Sequence, residues 1–322
     1  MVRAVVKRTL LTVPTSVTGA ELTVFTEGSI LTLALDGHCQ SEVFVESDGK
    51  TLSLAQPLEL VQMIVLYTMG WLEHTRARGA EQQRVLLCGL GGGSIARVIT
   101  AFTPSCVHTH SIELEPEVLC AAADLCGLEL SERCSAEAAD VALFLKERAE
   151  ASARGAKRGR QGEARAKRQA ELYDVLILDA FTSEGLCSSV QQRATLDDAA
   201  ACIGPHGVLI VNLHTGGPGD PDYATAKKVL RMLCRRFCRV YAATCASTQN
   251  IIAVCHACDE PGDGRALWKL LVEAQLRQPA VKAALHSGPA ARGYPGFEVG
   301  PALERLQYVG GVDDPPGGHD LR

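Results

Sequence analysis

Four groups of residues could do chemistry by their type and spacing. The first is Val85-Leu86-Leu87-Cys88-Gly89-Leu90-Gly91-Gly92-Gly93-Ser94, an apolar run that enters four glycines within five residues. Glycine allows a sharp turn and a close ligand approach, and a helix starting at Ser94 would aim its N–H groups at that ligand. The second is Ile112-Glu113-Leu114-Glu115, about 20 residues further on, where an acid can accept both hydroxyls of a ribose. Glu113 is assigned that role, because Glu115 lies further past the strand end, beside Pro116. The third is Asp140-Val141, at a helix start, where the acid either contacts an adenine amino group or caps the helix. The fourth is Tyr173-Asp174-Val175-Leu176-Ile177-Leu178-Asp179. Its terminal acid can orient or deprotonate a nucleophile, or cap the adjoining loop. The loop lacks the G-x-G-x-x-G spacing of nicotinamide enzymes, since Ile95 or Ala96 stands at the third glycine position.

Elements of two kinds must hold these groups. Residues 1–55 read as a small antiparallel sheet, with β-rich stretches at Leu22–Phe25, Ile30–Leu35 and Glu42–Val45 separated by Glu27-Gly28, Asp36-Gly37 and Asp48-Gly49. Pro57 opens a helical pattern that runs to about His74. From Arg84 strands and helices alternate. Ser94 is expected to cap the helix after the glycines, and helices are expected over Pro116–Cys126, from Asp140 to about Ala149, and over Val190–Cys202 and Ala224–Arg236. The run Val175-Leu176-Ile177-Leu178 does not alternate, which fits a strand covered on both faces. Val240–Cys245 and Asn250–Cys255 are too close for a helical crossover and should form an antiparallel hairpin. The expected fold is α/β, a seven-stranded doubly wound Rossmann-like sheet ending in that hairpin. Its boundaries are a β-domain over 1–55, a catalytic domain over 56–280 with a leading helix at 56–76, and a Pro/Gly-rich tail over 281–322.

Composition narrows the partners. Hydrophobic residues make up 47% and charged residues 21% of the 322, which excludes a disordered or coiled-coil chain. The net charge of −5 excludes a whole-surface nucleic-acid binder. It divides into +5 over Lys146–Glu171, nine Lys/Arg against four Asp/Glu, and −10 elsewhere. Residues 150–170 read as a basic flexible insertion, the one place where RNA or an acidic partner could be attracted. No apolar run reaches the ~18 residues of a membrane span. Cytoplasmic location is expected, with Arg3, Lys7 and Arg8 leaving a mitochondrial presequence as the alternative to a strand over Val2–Val13. The thirteen cysteines read as small buried hydrophobes, and Cys255-His256-Ala257-Cys258 supplies only one of the two pairs a zinc site usually needs.

Together these elements resemble a class I S-adenosylmethionine-dependent methyltransferase fold. Leu33-Ala34-Leu35-Asp36-Gly37-His38-Cys39-Gln40 is similar to the L-x-L-D-G-x-x-Q hairpin of the spermidine synthase family, and the glycine loop, Glu113, Asp140 and Asp179 follow in that family's order over residues 25–256. The resemblance implies a cofactor site of Gly89, Leu90, Gly91, Gly92, Gly93, Glu113, Leu114, Asp140, Val141 and Asp179. It implies an acceptor site of Gln40, Asp179, Ala180, Phe181, Thr182 and Glu184, with Asp179 helping the amine attack, and often a homodimer formed through the N-terminal region.

The departures bear on the reaction. Aminopropyltransferases resemble G-G-G-D-G-G at the loop, with an aspartate where Gly92 stands here. That aspartate grips the ammonium of decarboxylated S-adenosylmethionine and would repel the carboxylate of S-adenosylmethionine itself. A second family acid is replaced by Thr182, and a polycation needs several carboxylates. Here Asp179 remains, with Glu184, Glu59 and Glu46 as further candidates. The loop, the I-E-L-E-P stretch, the Y-D-V-L-I-L-D strand and Gly207–Leu213 look closer to the spermidine-synthase-like methyltransferases, the group with a module acting on the N-terminus of elongation factor 1-alpha. The resemblance therefore implies methyl transfer from S-adenosyl-L-methionine to an amine, on a protein. The alternatives are aminopropyl transfer to a polyamine and an inactive fold used for binding or dimerisation.

Overall fold

β-Branched and apolar residues predominate in Lys7–Pro14 (β1), Glu21–Glu27 (β2) and Ile30–Leu35 (β3), types that suit a pleated, half-buried surface, and the more polar His38–Phe44 (β4) completes the set. The computed structural model describes residues 7–158, 172–182, 185–216, 219–245, 248–258, 264–287 and 305–310. The four strands pair antiparallel in sequence order. Asp36 and Gly37, both at positive φ, close the β3–β4 hairpin, the conformation a two-residue turn of matching twist requires. Leu22, Val24, Leu31, Leu33 and Leu35 form the inner face and pack on Val118 and Ala121.

The main sheet is built from Gln83–Cys88 (β5), Val107–Glu113 (β6), Cys134–Ala138 (β7), Tyr173–Leu178 (β8), Ile203–His214 (β11), Arg239–Thr244 (β12), Asn250–His256 (β13) and Gln307–Gly310 (β14). Its order is β14-β12-β13-β11-β8-β5-β6-β7. The five strands β5, β6, β7, β8 and β11 pair in parallel, whereas β13 runs antiparallel to both β11 and β12. Helices Glu59–Ala77 (α1), Ser94–Phe102 (α2), Pro116–Asp124 (α3), Val141–Arg158 (α4), Arg193–Cys202 (α5), Pro221–Cys234 (α6), Gly264–Leu276 (α7) and Pro279–Lys282 (α8) complete the layers. The non-alternating runs are explained by two cores. Val85, Leu87, Val175, Ile177, Val208 and Ile210 face the α1–α2–α7 layer. Leu86, Cys88, Leu176, Leu178, Leu209 and Val211 face the α4–α5–α6 layer. A strand buried on both sides needs apolar residues at every position.

Three expectations are corrected. Among the described residues the sheet has eight strands where seven were expected, because residues 307–310, read as tail, add β14 antiparallel to β12. The neighbouring Arg305 pairs with the buried Glu59 of α1 and anchors this segment. The helix expected to end near Ala149 continues to Arg158, into the basic stretch, whose Ala, Arg and Lys are strong helix formers; residues 159–171 lie outside the described set. Ser94 does not cap α2. Gly93, left-handed, is the residue before the helix, and the Ser94 hydroxyl meets that of Ser41 instead. Among the described residues no helix is long and apolar enough to cross a membrane.

Candidate active site

The chain leaves β5 toward β6 and β7 on one side of the sheet and returns through β8 to β11 on the other. At such a switch point the strand ends open a crevice outside their carboxyl edge. The glycine loop after β5 and Asp179 after β8 meet there, beside a cleft of about 520 Å³.

The glycines have different tasks. Gly89 sits at φ +94°, and a Cβ on it would lie 2.1 Å from the Asp179 carbonyl oxygen. Only glycine lets the loop cross the end of β8 this closely. Gly89, Leu90 and Gly91 border the cleft, and a Cβ on Gly91 would approach the Gln40 carbonyl at 3.4 Å. Gly92 and Gly93 turn toward the protein. A Cβ on Gly92 would lie 2.9 Å from Ser41 Cβ and one on Gly93 3.1 Å from Leu128. The N-terminal hairpin therefore closes over the back of the loop.

Glu113 reaches the cleft wall with all of its acceptor capacity in use. Oε2 accepts from the N–H of Leu90 and Gly91 at 3.0 and 3.1 Å. Oε1 accepts from Leu114 and Glu115 at 2.9 and 3.2 Å. The carboxylate thus fastens the glycine loop to the end of β6, and a ribose hydroxyl would share or replace these bonds. Burial pushes its pKa up, against the four backbone donors. Glu115 faces elsewhere, accepting from the N–H of Val17 and Thr18. Asp140 caps α4 through Oδ1, which accepts from Leu143 N at 2.8 Å. It also borders the cleft with Leu114, Val141 and Ile112. Cap and cleft wall are combined in one side chain.

Asp179 stands at the switch point. Asn212 Nδ2 donates to its Oδ1 at 2.7 Å, and Asn250 Nδ2 donates to Asn212 Oδ1 at 2.9 Å. Burial pushes the carboxyl up to about 7; the Asn212 bond opposes this and the Glu113 charge adds to it.

Four residues expected around an acceptor, Gln40, Ala180, Phe181 and Thr182, also border the cleft. Phe181–Thr182 (β9) and Gly185–Leu186 (β10) form a small antiparallel hairpin there; Glu184 lies outside the described residues. Several cleft residues were missed in the sequence, among them Asn212, Asn250, His214 and Asp222. His214 ends β11, and its Nδ1 lies 2.9 Å from Oδ2 of Asp222 in the first turn of α6. The only sequence signal was a polar residue ending an apolar strand before Asp220-Pro221-Asp222. Glu59, an expected acceptor acid, is instead buried beside Arg305. Among the described residues no group of three or more His, Cys, Asp or Glu is placed for a metal. Cys255 is core, and His256 accepts from Trp268 Nε1.

The donor set fits an adenosyl group with an amino-acid tail. A glycine cradle, an apolar slot and strand-end acids share a cleft of the volume usual for small-molecule sites.

No family model matches the chain. Two polyamine aminopropyltransferases of Neisseria meningitidis are 25% identical over 197 residues, 61% of this chain and 62% of each relative. A Vibrio vulnificus polyamine aminopropyltransferase is 25% identical over 148 residues. The chain thus spans less than two thirds of the curated relatives it matches. Among solved structures, a probable spermidine synthase from Corynebacterium glutamicum superposes with a TM-score of 0.59 at 13% identity, covering 83% of this chain and 86% of that one. Human methyltransferase-like protein 13 in complex with SAH gives 0.54 at 22% identity, covering 68% and 92%. A spermidine synthase with the transition-state analogue AdoDATO gives 0.54 at 16%, covering 79% and 75%. The chain has the fold these transferases share.

Proposed function

We propose that this chain is an S-adenosylmethionine-dependent methyltransferase whose acceptor is an amine on a protein. One observation carries the reading. Position 92, where aminopropyltransferases place the aspartate that holds the cofactor ammonium, is packed on Ser41 with no room for a side chain. The loop therefore presents backbone and no negative charge to the tail of the cofactor, which suits a carboxylate-bearing tail. The remaining cleft acids support it. Glu113 is occupied by four backbone N–H groups, Asp140 by a helix cap and Asp222 by His214. Few carboxylates are left for a polycation.

When bound, S-adenosylmethionine supplies a methyl group on a sulfonium. The chain's part is to position the reactants. Gly89, Leu90 and Gly91 hold the amino-acid tail, Glu113 and Leu114 the ribose, and Asp140 and Val141 the adenine. Asp179, held by Asn212, receives an N–H of the incoming amine, with Gln40, Ala180, Phe181 and Thr182 around it.

Polyamine aminopropyl transfer is the second reading, favoured by the sequence relatives. Calorimetry with S-adenosylmethionine and with its decarboxylated form separates the two. Tighter binding of S-adenosylmethionine is expected. Preference for the decarboxylated form, with putrescine consumed, would sink the methyltransferase reading. Binding of neither would favour an inactive binding module.

A further inference from the structure

We infer that His214, oriented by Asp222, is the group that takes the proton from the acceptor amine. This rests on the amine-transfer reading above. An alkyl ammonium has no lone pair and must lose a proton before it can attack, and imidazole is the side chain suited to that exchange near neutral pH.

The geometry supplies the parts. His214 follows Asn212 by two positions on β11, so both side chains leave the same face of the strand, one pleat apart. Asn212 binds Asp179, which fixes where the nucleophile must stand. His214 borders the same cleft as Asp179 and Asn212, and its partner Asp222 lies beside the β9–β10 hairpin, where a Cβ on Gly185 would lie 3.4 Å from both Asp222 carboxylate oxygens. Nδ1 is directed at Asp222 Oδ2, which fixes the proton on Nδ1 and leaves Nε2 as the acceptor. Among the described residues Nε2 has no partner. Asn212 holds Asp179 through Oδ1, which leaves Oδ2 to hold the amine while His214 deprotonates it.

The step balances without a further reagent. An ammonium N–H bond breaks, its electron pair stays on nitrogen, and the proton forms an N–H bond on Nε2. The resulting imidazolium is stabilised by the Asp222 carboxylate and later releases its proton to water at the cleft mouth.

The test uses the full chain, tritiated S-adenosylmethionine and a library of peptides with free α-amino and lysine amines. His214→Ala should cut transfer about 100-fold or more while leaving sinefungin affinity within about two-fold. Added imidazole should restore at least about a tenth of the lost rate, which a structural role would not allow. Asp222→Asn should lower the rate with sinefungin affinity unchanged. Nitrogen-15 NMR at pH 8 should find the Nδ1–H tautomer of His214. A His214→Ala rate within two-fold of wild type, a loss that imidazole does not restore, or an Nε2–H tautomer would each overturn the proposal. If the wild type labels no peptide, the amine-transfer reading fails and takes the proposal with it. If the wild type labels peptides and His214→Ala does so equally, the proposal alone fails.

Discussion

Burial pushes the Asp179 carboxyl up from its ordinary 3.8 to about 7. The ionised form is thus disfavoured in the folded chain. Between about pH 4 and 7 the unfolded chain binds fewer protons than the folded one, so stability falls as pH rises through that window and is level above it. Asp179→Asn, which can still accept from Asn212, should therefore raise the melting temperature at pH 8. The gain is on the order of 2 kcal/mol, allowing for water that reaches the group through the cleft, and should vanish near pH 4. Methyl transfer by the variant should be lost. A melting temperature at pH 8 equal to or below that of wild type would contradict the burial argument. Glu113→Ala should weaken sinefungin binding about 10- to 100-fold, corresponding to ~1.5–3 kcal/mol for bonds to a charged group. It should also lower the melting temperature, since the N–H groups of Leu90 and Gly91 lose their acceptor. Unchanged affinity by calorimetry would remove Glu113 from the cofactor site. The candidates Glu113, Asp140 and Asp179 were legible because each ends a strand or opens a helix. The groups around them were not: Asn212 binds Asp179 from 33 residues away, Asn250 binds Asn212 from 38, and Asp222 binds His214 from 8, and no local pattern encodes such pairs.

The loop and the N-terminal hairpin form one functional element, although 53 residues separate Ser41 from Ser94. Gly92→Asp places a Cβ within 3.0 Å of Ser41 Cβ and should cost about 1–3 kcal/mol as overpacking. It should not gain affinity for decarboxylated S-adenosylmethionine. Adding Ser41→Gly should recover much of that stability, because the two sites are in contact. Denaturant unfolding of the single and double variants measures this, and purely additive losses would exclude the packing account. At this scale the sequence was informative wherever periodicity or turn chemistry was strong. The two-faced strands, the Asp36-Gly37 turn and the β12–β13 hairpin all formed as expected. It failed where tertiary contact outweighed a local signal: Gly93 and not Ser94 precedes α2, and α4 runs nine residues past Ala149 to Arg158.

For the whole molecule, the C-terminal segment closes the edge of the sheet. β14 covers β12, and Arg305 meets Glu59, whose side chain is 6% exposed. Arg305→Ala leaves a buried carboxylate without its cation and should cost about 2 kcal/mol, less than a fully buried pair because Arg305 is itself 28% exposed. Arg305→Ala/Glu59→Gln should be more stable than Arg305→Ala alone, and equal stabilities in urea would show that the pair carries no load. The sequence by itself determined the layer architecture and the positions of the chemical groups along it, because hydrophobic period, glycine and strand-end acids are local properties of the chain. Only the tertiary structure decided which groups share the cleft. It turned Gly92 onto Ser41, gave Glu113 four backbone partners, set His214 against Asp222 and made a strand of the tail. Each of these depends on contacts between distant segments, whose energies exist only once the sheet has brought them together.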